Sequence, residues 1–233
     1  MRPEMRQERL FEFRMGERSP DTLVVTEANR DAVRLLTGWA AWPGGALALI
    51  GPKGAGKTHL ALAWALEAGA RQVTPLAAPD DAAMIFQESG GRLLIDDADL
   101  ERDEGMFWRV LDMARASGGA VLLVGSTAPE TWPVAIPDLR SRLAALPVAR
   151  LREPDEALME VVLRRICREQ FIQLSDDAVR YLARRMPRTF AAARRLADAL
   201  DAELVKAAKP VTLAKARRAL EKAQAGWGEL GDG

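Results

Sequence analysis

The stretch from residue 51 to residue 58 reads Gly-Pro-Lys-Gly-Ala-Gly-Lys-Thr. It fits the pattern Gly-x-x-x-x-Gly-Lys-Thr, in which glycines let main-chain amides turn inward around an anion. A short apolar run from Ala46 to Ile50 precedes it, and a segment with helical periodicity follows from His59 to Ala68. The stretch is therefore predicted to connect a buried strand to a helix, which is the arrangement that binds nucleotide phosphates.

Two side chains of this loop carry the expected chemistry. Lys57 brings a positive charge to the β- and γ-phosphates, and the hydroxyl of Thr58 is a ligand for Mg²⁺. For His59 a packing or capping role is favoured over catalysis. A chance match in a glycine-rich turn is the alternative, and the flanking strand and helix argue against it. We expect ADP or ATP, with Mg²⁺, to contact Pro52, Lys53, Gly54, Ala55, Gly56, Lys57, Thr58 and His59.

Further apolar runs predict the rest of a sheet. Residues 92–95 and 120–124 are short and apolar, and helical patterns lie between them. Weaker strands are predicted at 72–76 and 148–151. Strands that alternate with helices favour a doubly wound parallel sheet covered on both faces.

Polar residues follow two of these strands, at the end of a parallel sheet where ligands bind. Asp96 would hold Mg²⁺ through water, and Asp97 would orient an attacking water. The alternative is that this acid pair caps the next helix. Ser126 and Thr127 would contact the γ-phosphate or the water, or else are simple turn hydroxyls. Asp99 is expected to face solvent.

The pattern changes after Pro154, where amphipathic helices follow one another without strands between them. They are predicted at 155–170, 175–186, 188–207 and 212–224, with Asp155 and Ser175 as N-caps. We therefore predict three parts: a charged arm at 1–20, a nucleotide-binding α/β domain at 21–153, and a helical lid at 154–225.

Three arginines are candidates for contact with phosphate. Arg140 and Arg142 follow a predicted turn at 137–139. An arginine offered across a subunit interface stabilises the charge that develops in phosphoryl transfer, which is the arginine-finger device. A solvated surface arginine is the alternative. Arg188 would reach from the lid to the phosphates.

Composition limits the function classes. Lys plus Arg and Asp plus Glu both number 33, so the net charge is zero, which disfavours a protein that holds DNA mainly through its own surface. With one cysteine and one histidine, disulfide frameworks and Cys/His zinc sites are excluded, and Cys167 is expected to be a buried helical thiol. We find no signal-peptide pattern and no apolar run of about 18 residues. We therefore expect a cytoplasmic protein with no membrane contact.

In their order along the chain and in their residues, these motifs resemble the DnaA family of AAA+ ATPases, and more closely its short Hda-type relatives. The resemblance covers residues 20–220. It is carried by Asn29-Arg30, the loop through His59, residues 93–97, residues 125–129, residues 138–143 and Arg188-Thr189. It implies an AAA+ P-loop α/β fold, a doubly wound parallel sheet with a small C-terminal all-helical lid. A chain of 233 residues leaves no room after the lid for the helix-turn-helix DNA-binding domain of DnaA, which favours the Hda type.

The arm carries a second resemblance. Gln7-x-x-Leu10-Phe11 is similar to the short peptide by which proteins dock on the replicative sliding clamp. Leu10 and Phe11 would fill an apolar pocket while the Gln7 amide forms hydrogen bonds beside it. Glu8 departs from the motif, which often has leucine there. The alternative is the first turn of a helix that packs on the domain.

The resemblance implies a negative regulator of replication initiation. Such a protein binds chiefly ADP, turns over ATP slowly, and is tethered to the DNA-loaded sliding clamp, the β subunit of DNA polymerase III, so that DNA contact is indirect. It presents Arg142 to the ATP held by DnaA and stimulates its hydrolysis; the fold also allows a homo-oligomer. The other hypotheses are a helicase-loader ATPase of the DnaC type, and an adaptor that binds DnaA or the clamp without stimulating hydrolysis.

Overall fold

The structure is a computed structural model that describes residues 25–203 and 211–224. The predicted clamp-binding residues Gln7, Leu10 and Phe11 lie outside the described residues. The chain divides into two compact units, with the division between Arg152 and Glu153. Within the described ranges, no helix combines the length and apolar composition that crossing a bilayer requires.

The first unit is built on a parallel sheet of five strands in the order β2-β3-β4-β1-β5. β1 and β4 are buried along their whole length, as expected when helices cover both faces of a parallel sheet. β1 lies between β4 and β5. The strands that follow β1 are therefore added first on one side of it and then, with β5, on the other. In open α/β sheets, ligands bind in the crevice at the carboxyl ends of the strands where this reversal occurs. The strands span Ala46–Ile50 (β1), Arg71–Val73 (β2), Arg92–Ile95 (β3), Ala120–Gly125 (β4) and Val148–Arg150 (β5).

In the described part of this unit, five α-helices flank the sheet. They span Arg30–Thr37 (α1), Lys57–Ala68 (α2), Pro79–Glu88 (α3), Glu104–Ser117 (α4) and Pro137–Ala144 (α5). α1 and α2 contribute to one apolar core, and α3, α4 and α5 contribute to the other. Alternate β4 residues divide between these cores, Leu122 and Val124 in the first and Val121 and Leu123 in the second. The predicted doubly wound sheet is therefore confirmed.

The turn predicted at residues 137–139 is wrong, because α5 begins at Pro137. Proline fits the first helical position, where its fixed φ is suitable and its missing N–H has no intrahelical acceptor. Arg142 therefore lies on a helix rather than in a loop after a turn.

The described part of the second unit is helical. Its helices span Glu156–Glu169 (α6), Asp176–Ala183 (α7), Phe190–Glu203 (α8) and Leu213–Gln224 (α9). The two predicted caps are confirmed: Asp155 accepts from the Leu158 amide at 2.8 Å, and Ser175 accepts from the Ala178 amide at 3.3 Å. Cys167 is buried as predicted, and burial raises the pKa of its thiol to about 12.

α6 ends with an unusual residue for a left-handed position. The Ile172 amide donates to the Cys167 carbonyl at 2.7 Å, which requires Phe171 to adopt a φ of 59°. A helix normally ends this way on glycine, because other residues have a steric cost there. The Phe171 side chain is 95% exposed, so it contributes almost no burial to offset that cost.

We therefore predict that Phe171→Gly raises the free energy of unfolding by about 0.5–1 kcal/mol, since glycine removes the strain and no packed side chain is lost. Urea unfolding measures the change. Gly118→Ala is the matched control, because Gly118 ends α4 at φ 69° and, among the described residues, no neighbouring atom lies within 4 Å of the position that a Cβ would take. It should destabilise by about 1 kcal/mol, and a Phe171→Gly protein no more stable than the wild type would contradict the prediction.

Candidate phosphate-binding site

Residues Gly51 to Gly56 connect β1 directly to α2, and Lys57 and Thr58 are the first two residues of that helix. Gly54 and Gly56 have φ values of 81° and 92°, which side chains other than glycine rarely adopt. Gly51 is needed for a different reason: a Cβ there would lie 2.7 Å from the Leu151 carbonyl oxygen, just after β5. The glycine pattern in the sequence therefore reflects two left-handed residues and one close approach of the backbone.

Lys57 turns its ammonium group back over this loop. Nζ donates to the carbonyl oxygens of Gly51 at 2.8 Å and Pro52 at 3.2 Å, and it lies 3.4 Å from Ser126 Oγ. Burial lowers the pKa of Lys57, and the negative charges of nearby carboxylates, first Asp99 and then the Asp96-Asp97 pair, oppose that effect. The cation thus lies where the loop meets the carboxyl end of β4.

The acid pair follows β3, as the sequence predicted. Asp97 has a φ of 53°, and its amide donates to Asp96 Oδ1 at 3.0 Å. A non-glycine residue in the left-handed region is uncommon and is concentrated at functional sites. Both carboxylates line a cleft of about 470 Å³ at the ends of β2 and β3, together with Gln72, Val73, Thr74 and Pro75.

Asp99 is half-buried rather than fully exposed to solvent, and its carboxylate is bound by the main chain. Its Oδ2 accepts hydrogen bonds from the amides of Ser126 at 2.7 Å and Thr127 at 3.1 Å. Gly125 permits this approach, because a Cβ at that position would lie 3.0 Å from the Asp99 carboxyl carbon. Asp99 therefore ties the loop after β3 to the end of β4. No local sequence signal marks the role, since Asp99 and Ser126 are far apart in the chain.

Ser126 and Thr127, the two residues expected to contact the γ-phosphate or the attacking water, have different surroundings. Ser126 directs its hydroxyl at Lys57, whereas Thr127 is held by Trp132, whose indole Nε1 donates to the Thr127 carbonyl and to Oγ1 at 3.1 Å each. Arg102 in turn lies over the Trp132 ring at 5.2 Å. Ser126 is thus the residue placed against the loop, while Thr127 belongs to a hydrogen-bonded anchor that sequence reasoning missed.

The predicted magnesium ligands supply suitable chemistry. Thr58 offers an exposed hydroxyl in the first turn of α2, and Asp96 offers a half-buried carboxylate after β3. Mg²⁺ prefers such oxygen donors and usually completes its shell with phosphate oxygens and water. These two residues therefore fit the ion, whose charge would offset the negative charge of phosphates beside Lys57.

The three candidate arginines belong to different units: Arg140 and Arg142 lie on α5 of the first unit, and Arg188 belongs to the second. Arg142 is ion-paired with Asp112 on α4 and with Asp138 on α5. Arg188 is exposed just before α8. His59 lies half-buried in the first turn of α2, directly after the loop.

Asp99→Asn tests the link between β3 and β4. The substitution removes a charge from two hydrogen bonds to main-chain amides, so we expect the free energy of unfolding to fall by about 1–2 kcal/mol. Nucleotide affinity should fall as well, because Ser126 would no longer be held against Lys57. Urea unfolding and nucleotide titration measure the two effects. Asp80→Asn, at an exposed ion pair with Arg109, is the control and should change stability by less than about 0.5 kcal/mol; an equal loss in both variants would contradict the assignment.

Comparison with known proteins identifies the fold. No family model matches the chain. An uncharacterised protein of Haemophilus influenzae is 27% identical over 175 residues, which cover 70% of this chain and 76% of that protein.

Three similar solved structures are informative. Domain III of the replication initiation protein DnaA from Thermotoga maritima superposes with a TM-score of 0.66 at 20% identity, over 86% of this chain and 94% of the domain. The Thermotoga maritima RuvB Holliday junction branch migration motor gives a TM-score of 0.64 at 21% identity, over 84% and 70% of the two chains. The replication initiator DnaA bound to AMPPCP and single-stranded DNA gives 0.53 at 19% identity, over 86% and 79%. At these identities the likeness concerns the backbone arrangement, and the chain has the AAA+ fold.

Proposed function

We propose that this chain is a nucleotide-binding regulator of replication initiation, of the Hda type, that stimulates ATP hydrolysis by DnaA. The observation that carries nucleotide binding is the position of Lys57, whose ammonium group lies between the loop carbonyls and Ser126 at the ends of β1 and β4. Phosphates that bind over the loop amides would meet this cation and the N-terminus of α2 together.

The proposed site has a distinct role for each residue. The loop from Pro52 to His59 holds the phosphates of ADP or ATP, and Thr58 and Asp96 bind Mg²⁺. Asp97 orients water for a slow hydrolysis of the chain's own ATP. Ser126 and Thr127 report on the γ-phosphate. Domains at 21–153 and 154–225 correspond to a nucleotide-binding body and a lid that contributes Arg188.

The regulatory role depends on an arginine that contacts the nucleotide of a partner and not the nucleotide bound by its own chain. Arg142 is proposed to contact the ATP of a DnaA partner, as the sequence resemblance implies. Similarity of the backbone to DnaA domain III supports a mode of association between related AAA+ folds. The arm at 1–20 is proposed to tether the chain to the sliding clamp on DNA, which brings it to newly replicated DNA.

A reconstituted assay of DnaA-ATP hydrolysis, with and without the clamp on DNA, tests this function. We expect weak turnover by the chain alone and strong acceleration of DnaA when clamp and DNA are both present. Rapid turnover by the chain alone, stimulated by DNA or a helicase, would instead favour the loader hypothesis. Binding to DnaA or the clamp without acceleration would favour the adaptor.

Leu10→Ala combined with Phe11→Ala tests the tether. Loss of two apolar anchors from a short docking peptide should weaken clamp binding by at least about 100-fold, because such anchors dominate the binding energy. A pull-down with purified clamp measures it. Glu8→Leu is the opposing variant, because it restores the residue common in such motifs and should strengthen binding. Undiminished capture of the double variant would refute the tether.

A further inference from the structure

The guanidinium group of Arg142 lies between two carboxylates on the surface formed by α4 and α5. Its Nη1 is 3.0 Å from Asp112 Oδ1, and its Nε is 2.8 Å from Asp138 Oδ2. The Trp108 indole Nε1 donates to the same Asp138 oxygen at 2.6 Å, and its ring centre lies 5.5 Å from the guanidinium carbon. We call Trp108, Asp112, Asp138 and Arg142 the arginine clasp.

Both acids of the clasp are held in the ionised form. Hydrogen bonds from Arg142 and then Arg115 lower the pKa of Asp112. Hydrogen bonds from Trp108 and then Arg142 lower the pKa of Asp138. The positive charge of Arg142 is therefore matched within the chain by two negative charges at hydrogen-bond distance.

The neighbouring arginine on the same helix is different. Arg140 is exposed, and within the described ranges its side chain takes part in no ion pair. If surface acids simply paired with any arginine of α5, Arg140 would be expected in an ion pair as Arg142 is. Arg142 is approached by one carboxylate from each of two helices, and Asp112 also pairs with Arg115 on its own helix at 3.2 Å.

The clasp leaves a point of entry. The Arg142 side chain is 23% accessible, and its Nη2 has no hydrogen-bond acceptor among the described residues. A phosphate binds an arginine best through two parallel N–H donors, so Nη2 would act together with Nε or with Nη1. Asp138 accepts the single hydrogen of Nε, and Asp112 accepts one of the two hydrogens of Nη1. A phosphate that binds through Nη2 and Nε must therefore displace Asp138, and one that binds through Nη1 competes with the charge of Asp112.

We propose that Asp112 and Asp138 are internal counter-ions of Arg142, which compete for the arginine with the phosphates of a partner's nucleotide. The inference rests on the proposed function, since the nucleotide is the one that the partner holds. Trp108 keeps its ring beneath the guanidinium, so the cation keeps one support while its acids exchange for phosphate. The clasp thus lowers the affinity of Arg142 for phosphate until docking brings the phosphates of the partner's nucleotide within contact distance.

Asp112→Asn and Asp138→Asn test the clasp in the hydrolysis assay with full-length chain, clamp, DNA and the DnaA-ATP partner. Each removes one competing charge and keeps the side-chain size. The concentration of the chain that gives half-maximal stimulation should fall by about 2- to 5-fold, the range of a partly exposed ion pair, with the maximal rate unchanged. An unchanged or higher half-maximal concentration, or a lower maximal rate, would overturn the proposal. Asp80→Asn removes a carboxylate from a neighbouring pair with Arg109 on α4, and an equal gain there would also overturn it.

Chemical modification gives a readout that needs no partner. Phenylglyoxal attacks accessible guanidinium groups, and peptide mass spectrometry resolves the rates at Arg142 and Arg140. In the wild-type chain Arg142 should react more slowly than Arg140. Asp138→Asn should accelerate Arg142 alone, and Asp112→Asn should accelerate Arg142 together with Arg115, the other partner of Asp112. Equal rates at both arginines in the wild type would refute the clasp. A wild-type chain that fails to stimulate DnaA would instead refute the proposed function, whatever the modification rates show.

Discussion

Arg142→Ala should lower the stimulated rate of DnaA-ATP hydrolysis by about 10³-fold or more. An arginine finger stabilises charge that appears on the transferred phosphoryl group, and its removal typically costs about 10³–10⁵ in rate. Alanine takes away that charge without altering the phosphate loop, which lies on different elements of the same unit. The measurement is phosphate release from DnaA-ATP at saturating chain, clamp and DNA.

The clasp makes the choice of controls important. Arg142→Ala also leaves Asp112 and Asp138 without their shared partner, so a loss of folding has to be separated from a loss of chemistry. Because all three side chains are partly exposed, we expect the stability cost to be about 1 kcal/mol or less. Urea unfolding of the variant and its affinity for nucleotide check this.

Arg140→Ala is the matched control, since it removes the same charge two residues away on α5. It should leave stimulation within about 2-fold of the wild type, as expected for an exposed arginine without an ion pair among the described residues. Arg142→Lys should restore little, because lysine lacks the planar fork that binds two phosphate oxygens at once. If Arg140→Ala abolished stimulation and Arg142→Ala did not, the finger would be assigned to the wrong residue.

Lys57→Ala should weaken the binding of ADP and ATP by about 10- to 100-fold. Hydrogen bonds between charged groups contribute about 1.5–3 kcal/mol each, and Lys57 is the ammonium group that lies directly over the loop. The partial burial that lowers its pKa also makes its interaction with an incoming phosphate stronger than at the surface.

Thermal unfolding in rising ADP concentration measures the effect through linkage. A ligand present at 100 times its dissociation constant stabilises a protein by about 2.7 kcal/mol, so the wild-type midpoint should rise steadily with ADP. The Lys57→Ala midpoint should rise much less over the same range, since a site weakened about 10- to 100-fold gains only about 0.4–1.4 kcal/mol at that ADP concentration. Arg71→Gln is the control: Arg71 lies on the edge strand β2 in an exposed ion pair with Glu88, and the variant should respond to ADP as the wild type does. A wild-type midpoint that does not respond to ADP or ATP would refute nucleotide binding.

Much of the site was predictable from local sequence. The strand from Ala46 to Ile50, the glycines after it and the helix that follows are each specified by residues close together in the chain, and the structure has all three. The N-caps Asp155 and Ser175 were predictable for the same reason, because a cap and the amide that it satisfies lie three residues apart.

The parts that were missed depend on contacts between distant residues. Asp99 and Ser126 are 27 positions apart, and Asp112 and Arg142 are 30 positions apart. Periodicity and capping carry no information on such pairs, since they are set by which strands and helices become neighbours. The start of α5 at Pro137 was missed for another reason: proline fits a turn and a first helical position equally well.

The sequence by itself therefore determined the α/β class, the loop and the identity of its cation, because strand periodicity, glycine conformations and helix caps are local properties of the chain. Only the tertiary structure decided what surrounds Arg142 and Lys57. The sheet order places β4 beside β1, which brings Ser126 to Lys57 and lets Asp99 hold Ser126 in place. The packing of α5 on α4 likewise brings Asp112, 30 positions away in the chain, to Arg142, and so adds a second carboxylate to that of Asp138, which lies four residues before Arg142 on α5.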